Sequence, residues 1–183
     1  MRRRPVQNLS LKGRDLMGKY DLNNLEDNDI KELLEYEKNP SNPLEYEDVY
    51  NQIVSTLIYS TGKYTCEVVD NLNNIIYIFS TLTTPVPNIF TISLRFTENN
   101  YHLLRLDFGD NLRHTNNIGK EDEYKVYGSH AHFNAPPGKY DKKNVVPIED
   151  ISEFKNLKLI RDVFLEYINY TNIVERSDTY ESG

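Results

Sequence analysis

Between residues 63 and 109 the chain alternates apolar and polar residues with a period of two, the pattern of strands buried on one face. Four stretches carry it: 63–70, 74–82, 88–97 and 101–109. The turns D-N-L-N-N, T-T-P-V-P-N and E-N-N separate them, rich in the residues that favour turns. The short E-N-N link predicts that the third and fourth strands are an antiparallel hairpin. A polar loop, 110–122, then leads to a fifth strand over 123–134. On either side of this block the apolar spacing becomes helical. Ile30, Leu33, Leu34 and Tyr36 make one stripe, with Asp27 or Asn28 placed to cap its start and Asn39-Pro40 to end it. Val49, Ile53, Val54 and Leu57 suggest a second short helix, and Leu157, Ile160, Val163, Phe164, Leu165 and Ile168 a third over about 156–170.

The expected fold is therefore α+β. An antiparallel sheet of about five strands carries an N-terminal helical segment and a C-terminal helix packed on one face. The expected organisation is a flexible basic arm (1–20), a helical segment (21–61), an α+β domain (62–174) and a disordered tail (175–183).

Composition narrows the function classes. With 183 residues and a formal charge of −7, the protein lacks the broad basic surface that coats nucleic acid. Any RNA must be met through a local patch or a partner. The densest basic patch is G-K-Y-D-K-K, where Lys139, Lys142 and Lys143 flank Tyr140, a combination suited to phosphates and a stacked base. The single cysteine, Cys66, rules out an internal disulfide and any cysteine-based zinc site, and fits a reducing, cytoplasmic setting. No apolar run is long enough to span a bilayer, so no membrane partner is expected.

Sorting the strand faces concentrates the chemistry. Phe90, Ile92, Leu94 and Phe96 share a face, as do His102, Leu104, Leu106 and Phe108, and then Tyr127, Ala131 and Phe133. His102 is thereby a core or rim histidine. The opposite face collects Ser93, Arg95, Arg105, Asp107, His130 and His132. In the H-A-H motif both imidazoles project to the same side, with attachment points about 6–7 Å apart.

Three readings of that face are open. In one, His130 and His132 are acid and base of a metal-free RNA cleavage, in either order. His114 would assist, Asp107 would orient an imidazole, and Arg95 or Arg105 would hold the phosphate. In the second, His114, His130 and His132 hold a divalent metal, with Asp107 or Asp110 able to replace one of them. In the third, the histidines are simply exposed on a sheet edge. The metal-free reading, with no cofactor, is the expectation; the metal is the lesser alternative.

The motifs Arg105-Leu106-Asp107, His114-Thr115-Asn116, His130-Ala131-His132-Phe133, Val146-Pro147-Ile148 and Phe164-Leu165-Glu166-Tyr167 resemble a domain of unknown function in small phage and bacterial proteins. That resemblance covers the C-terminal half and implies that the three histidines belong to one site. In length, acidity and phage-like character the chain also resembles type II anti-CRISPR proteins, of the kind that truncates guide RNA. This likeness implies a ribonuclease acting in the bacterial cytosol, with a type II effector nuclease (Cas9) and its guide RNA as partners. The effector would supply the basic surface that this chain lacks. The alternatives are a non-enzymatic acidic inhibitor that blocks the effector's nucleic-acid groove, and a prophage interaction or antitoxin-like module.

Overall fold

The computed structural model describes residues 19–56, 61–86, 89–137 and 145–177. The predicted basic arm lies outside these residues except for Lys19 and Tyr20, and so does the tail beyond residue 177. Among the described residues the chain forms helices α1 (Asp27–Glu35), α2 (Tyr46–Thr56) and α3 (Ile160–Tyr170). Its strands are β1 (Asn39–Pro40), β2 (Lys63–Asp70), β3 (Ile75–Thr83), β4 (Phe90–Phe96), β5 (His102–Phe108), β6 (Arg113–Asn116), β7 (Tyr124–Tyr127), β8 (His130–Ala135) and β9 (Val145–Pro147).

The fold is α+β, as the alternation predicted, but the sheet is larger. Seven strands lie in the order β1-β2-β3-β4-β5-β8-β9, every neighbouring pair antiparallel, and β6 and β7 form a separate two-stranded ribbon. The extra sheet strands are β1 and β9, of two and three residues, too short to display a period.

Turn chemistry fixes the register of the central hairpins. Asp70 closes the β2–β3 turn by accepting the backbone N–H of Leu72 and Asn73 through Oδ1, at 2.9 and 3.0 Å. Asn74 and Asn100, with φ of 55° and 62°, complete the β2–β3 and β4–β5 turns in the left-handed region that Asn tolerates. Phe90, Ile92, Leu94 and Phe96 all turn inward and are fully buried, as the alternation predicted. On β5 the register slips between Leu94 and Arg95, so Leu103 is an extra residue opposite that step. Leu103 and Leu104 are consequently both buried.

The helices bury the stripes that predicted them. Ile30, Leu33 and Leu34 of α1, Val49 and Ile53 of α2, and Val163, Phe164 and Ile168 of α3 join one core cluster with the sheet. Tyr167 anchors α3 to the sheet by donating its hydroxyl to the Leu104 carbonyl at 2.8 Å. Three details differ from expectation. Glu26, not Asp27 or Asn28, caps α1, its N–H donating to Asp29 Oδ2 at 3.1 Å. Leu165 and Val54 face outward, each 42% exposed. Glu175 and Arg176 are tied down: Glu175 accepts the Tyr46 N–H at 2.8 Å, and Arg176 Nη1 donates to the carbonyls of Pro40 and Ser41 at 3.0 and 2.8 Å.

The predicted fifth strand is two strands with different partners. β7 pairs with β6 in the ribbon and β8 joins β5 in the main sheet, with Gly128 at φ 76° turning the chain between them. Face alternation does not carry across that turn. Tyr127, assigned inward by continuous alternation, is 64% exposed, whereas Ala131 is fully buried as predicted.

Candidate functional site

Cross-strand register builds the site. Thr91 of β4 stands opposite Asp107 of β5, and Ser93 opposite Arg105. On its other side Asp107 stands opposite His130 of β8, and Arg105 opposite His132. Directly opposed residues share a face of the sheet, so one patch receives a hydroxyl-bearing strand, a carboxylate with a guanidinium, and two imidazoles. The third imidazole arrives by another route. The 110–122 segment, predicted as a loop, contains β6, and β6 carries His114. The ribbon packs near β9, where Asn116 Nδ2 and the Tyr124 hydroxyl each donate to the Val145 carbonyl at 3.1 Å. That placement brings the His114 ring to 5.7 Å from His130 and 5.1 Å from His132, centroid to centroid, with His130 and His132 5.0 Å apart.

The cluster is largely covered rather than laid open on a sheet surface. His130 and His132 are 4% and 5% exposed, Asp107 is 8% exposed, and His114 is half-buried. Reading the pair as exposed edge residues is thereby excluded. Buried polar groups must find partners, and these partners orient the rings. His130 Nδ1 lies 2.8 Å from the Gly128 carbonyl. A carbonyl only accepts, so Nδ1 carries the proton and Nε2 keeps its lone pair. His132 Nε2 lies 3.1 Å from Asp107 Oδ2, which assigns the proton to Nε2 and leaves the lone pair on Nδ1. His130 Nε2 is 3.7 Å from the same oxygen, beyond hydrogen-bond range.

Asp107 is the hub. Its Oδ1 accepts the Thr91 hydroxyl at 2.6 Å and Nε and Nη2 of Arg105 at 3.0 and 2.9 Å. Burial alone would raise the carboxyl's pKa. The bond from His132, the Arg105 charge and the Thr91 bond outweigh burial and hold it well below the ordinary carboxylate value. Asp107 is thus an ionised acceptor that orients rather than a proton donor. Burial pushes the His130 imidazole below its ordinary value, against the opposing pull of the Gly128 carbonyl and Asp107, with His132 and His114 adding to the depression. That favours the neutral, ligand-competent ring.

The donor set fits a metal ion. One nitrogen from each of His114, His130 and His132 can be chosen so that all three lie within 4.8 Å of one another. Tetrahedral zinc with bonds of about 2.0–2.1 Å needs nitrogens about 3.4 Å apart, so binding would draw the rings together by up to about 1.4 Å from the 4.8 Å limit. Imidazole suits zinc and several other first-row divalent ions, and a ring held from behind by a carboxylate or carbonyl is the usual outer support of such ligands.

The remaining predicted residues are elsewhere. Arg95 donates to Asn100 Oδ1 in the β4–β5 turn and does not join the cluster. Lys139, Tyr140, Lys142 and Lys143 lie outside the described residues. His102, half-buried, stands opposite Ala135 and Arg95 at the far end of β5. Two participants escaped sequence reasoning. Thr91 was legible from its place opposite Asp107 once β4 and β5 are registered; the Gly128 carbonyl was legible only as a glycine two residues before the motif. A cavity of about 600 Å³ adjoins the turn before His130, lined by Phe108, Tyr127, Ser129 and Ile148, but none of the three histidines lines it.

The chain belongs to a family of unknown function, DUF6978, whose sequence profile matches residues 25–173. The match spans all three helices, the sheet and the ribbon, and so extends well beyond the C-terminal half in which the resemblance to a domain of unknown function was expected. No curated protein and no solved structure matches the chain. Among the described residues no helix is long and apolar enough to cross a membrane.

Proposed function

We propose that this DUF6978 chain is a metal-dependent hydrolase whose divalent ion, zinc first among the candidates, is held by His114, His130 and His132. The observation that carries the reading is the convergence of three imidazole nitrogens within 4.8 Å of one another in a buried cluster. Three protein ligands would leave such an ion an open position, and the ion would supply Lewis acidity suited to activating water near neutral pH. The chain's own residues prepare this. The Gly128 carbonyl and Asp107 fix the tautomers of His130 and His132, and Thr91 and Arg105 hold Asp107 ionised while it does so.

This reading is preferred to metal-free acid–base chemistry because a general base near neutrality needs a ring that exchanges protons with substrate. His130 and His132 instead are almost completely buried, and three imidazoles gathered at one point outnumber the single acid and base that such chemistry uses. RNA as substrate, and inhibition of a type II effector by truncation of its guide RNA, are proposals that the hydrolase reading accommodates but does not rest on. Non-enzymatic inhibition through the acidic face of α1 has less support: Glu32 is already engaged by Lys19 Nζ at 2.7 Å and the Tyr20 hydroxyl at 2.8 Å.

The test is metal analysis followed by hydrolysis. Protein dialysed against buffered zinc and then against metal-free buffer is expected to retain one equivalent. The loaded protein is expected to cleave a nitrophenyl ester or guide RNA, with and without effector, in an EDTA-sensitive manner. Failure to retain any divalent ion overturns the proposal, and cleavage that survives EDTA restores the metal-free reading.

A further inference from the structure

The side chain next to the imidazoles restricts what such a centre would act on. Arg105 stands directly opposite His132 across the β5–β8 pair and directly opposite Ser93 across β4–β5. Direct antiparallel partners have Cβ atoms about 4.5–5.5 Å apart, so the guanidinium lies one side chain from the cluster. His130, His132 and Asp107 have side chains 5%, 6% and 11% exposed, whereas that of Arg105 is 36% exposed. Arg105 therefore marks where the buried cluster meets solvent. Its Nε and Nη2 are both taken by Asp107 Oδ1, which fixes the guanidinium plane and leaves the Nη1 edge turned away from the carboxylate. A guanidinium edge held in place by a buried carboxylate is a preorganised donor to an anionic oxygen.

Charge balance gives this edge a meaning. Asp107 and Arg105 offset one another, and three neutral imidazoles add nothing to the charge of an ion they bind. A site of net positive charge, with one donor edge at its mouth, suits a singly anionic group. In an acyl ester the bound substrate is uncharged at the reacting carbon, and an anionic oxygen appears there only in the tetrahedral intermediate. In a phosphodiester the charge belongs to the reacting phosphorus, whose two non-bridging oxygens can divide between ion and guanidinium.

Resting on the metal-centre reading, we infer that the substrate class is a phosphodiester and that Arg105 binds one of its non-bridging oxygens. Water adds across one ester linkage. A new P–O bond forms from the water oxygen, and the P–O bond to the leaving group breaks. The departing alkoxide ends with one of the water protons, and a phosphomonoester and an alcohol result without any redox change. The negative charge carried by the non-bridging oxygens in the transition state is what the guanidinium stabilises.

The experiment compares two substrates with the same leaving group on zinc-loaded full-length protein: bis(4-nitrophenyl) phosphate, an anionic diester, and diethyl 4-nitrophenyl phosphate, a neutral triester. Dimethyl phosphate binding, measured by calorimetry, gives a readout independent of turnover, and zinc affinity is measured for each variant. For Arg105→Gln the diester-to-triester ratio of kcat/KM is expected to fall by about 100-fold, with Arg105→Lys intermediate. Dimethyl phosphate binding should weaken in the same order. An unchanged ratio in Arg105→Gln, or dimethyl phosphate binding indifferent to the substitution, overturns the inference while leaving the metal centre standing. Loss of the metal centre itself shows differently, as absence of bound zinc in the wild type. If zinc is retained but neither ester is cleaved, binding decides: dimethyl phosphate held through Arg105 supports the inference, and no binding overturns it.

Discussion

Asp107→Asn tests the site at its hub, because it preserves shape and removes charge. The carboxylate receives four donated hydrogen bonds, from Thr91, twice from Arg105, and from His132. An amide has one oxygen to offer. Placed toward Arg105 and Thr91, it sets its NH2 against the N–H of His132, donor to donor. His132 must then move its proton to Nδ1 or turn its ring, and either change disturbs the cluster. Placed the other way, it sets the NH2 against three donor groups, the Thr91 hydroxyl and Nε and Nη2 of Arg105. Breaking a buried ion pair costs about 3–5 kcal/mol. Arg105 is more than one-third exposed and regains water, so the loss is discounted to about 2–3 kcal/mol. Loss of the outer support of a metal ligand weakens binding by about 10–100-fold. Urea denaturation of the metal-free protein reads the first quantity, and zinc competition against a chelating dye reads the second. The pH dependence adds a signature. The folded carboxyl lies below its ordinary value of 3.8, so its contribution is intact above that value and is lost as pH falls toward the folded pKa. The variant should lack that component of acid destabilisation. Zinc affinity indistinguishable from wild type in Asp107→Asn refutes the role given to Asp107, whatever happens to stability.

Three further outcomes are expected. His114→Ala should weaken zinc binding by more than the roughly 10–100-fold of an outer-shell loss, and should lack the zinc-dependent amide protection of residues 113–127 that hydrogen exchange is expected to show in the wild type. Lys38 is fully buried, its Nζ donating to the Leu34 and Tyr36 carbonyls at 3.2 and 2.5 Å, and burial pulls its pKa down to about 7 against the opposing charge of Asp70. The unfolded chain then binds more protons above pH 7, so urea stability should rise by about 1.5 kcal/mol between pH 7 and 8.5, and Lys38→Met should flatten that slope. Tyr167→Phe removes the hydroxyl bonded to the Leu104 carbonyl and should cost about 1 kcal/mol in urea denaturation with zinc affinity unchanged.

The sequence reveals this site to the extent that it lies on regular strands. Period-two alternation in β4 and β5 places Arg105 and Asp107 on one face, and H-A-H puts both rings of β8 on a single side, because strand geometry leaves no other choice. It does not disclose that β8 is the neighbour of β5, since pairing is a long-range property that alternation does not encode. Arg95 shows where the reasoning breaks. The face assignment is right for β4 in isolation, but the slipped register beside it and the nearby Asn100 side chain draw its guanidinium into the turn. Burial was equally illegible: a polar sheet face reads as solvent-facing, and only a second layer can cover it.

That layer is the ribbon, and its insertion is the feature that most needs explaining. β5 and β8 are antiparallel neighbours, and a turn of a few residues would join them. The chain instead spends residues 109–129 on an excursion whose net result is to leave the sheet, form β6 and β7, and return beside its point of departure. A two-stranded ribbon has little core of its own and is marginal in isolation, so it must be held by what it touches. Here it is held by two hydrogen bonds to the Val145 carbonyl and by the contact of His114 with the sheet histidines. An ion shared between His114 and the two sheet histidines would tie the ribbon to the face it covers, so ion binding and closure of the site become one event. The prediction for His114→Ala follows from this topology as much as from ligand chemistry. If amide protection of the ribbon proved indifferent to zinc in the wild type, the excursion would need a different reason.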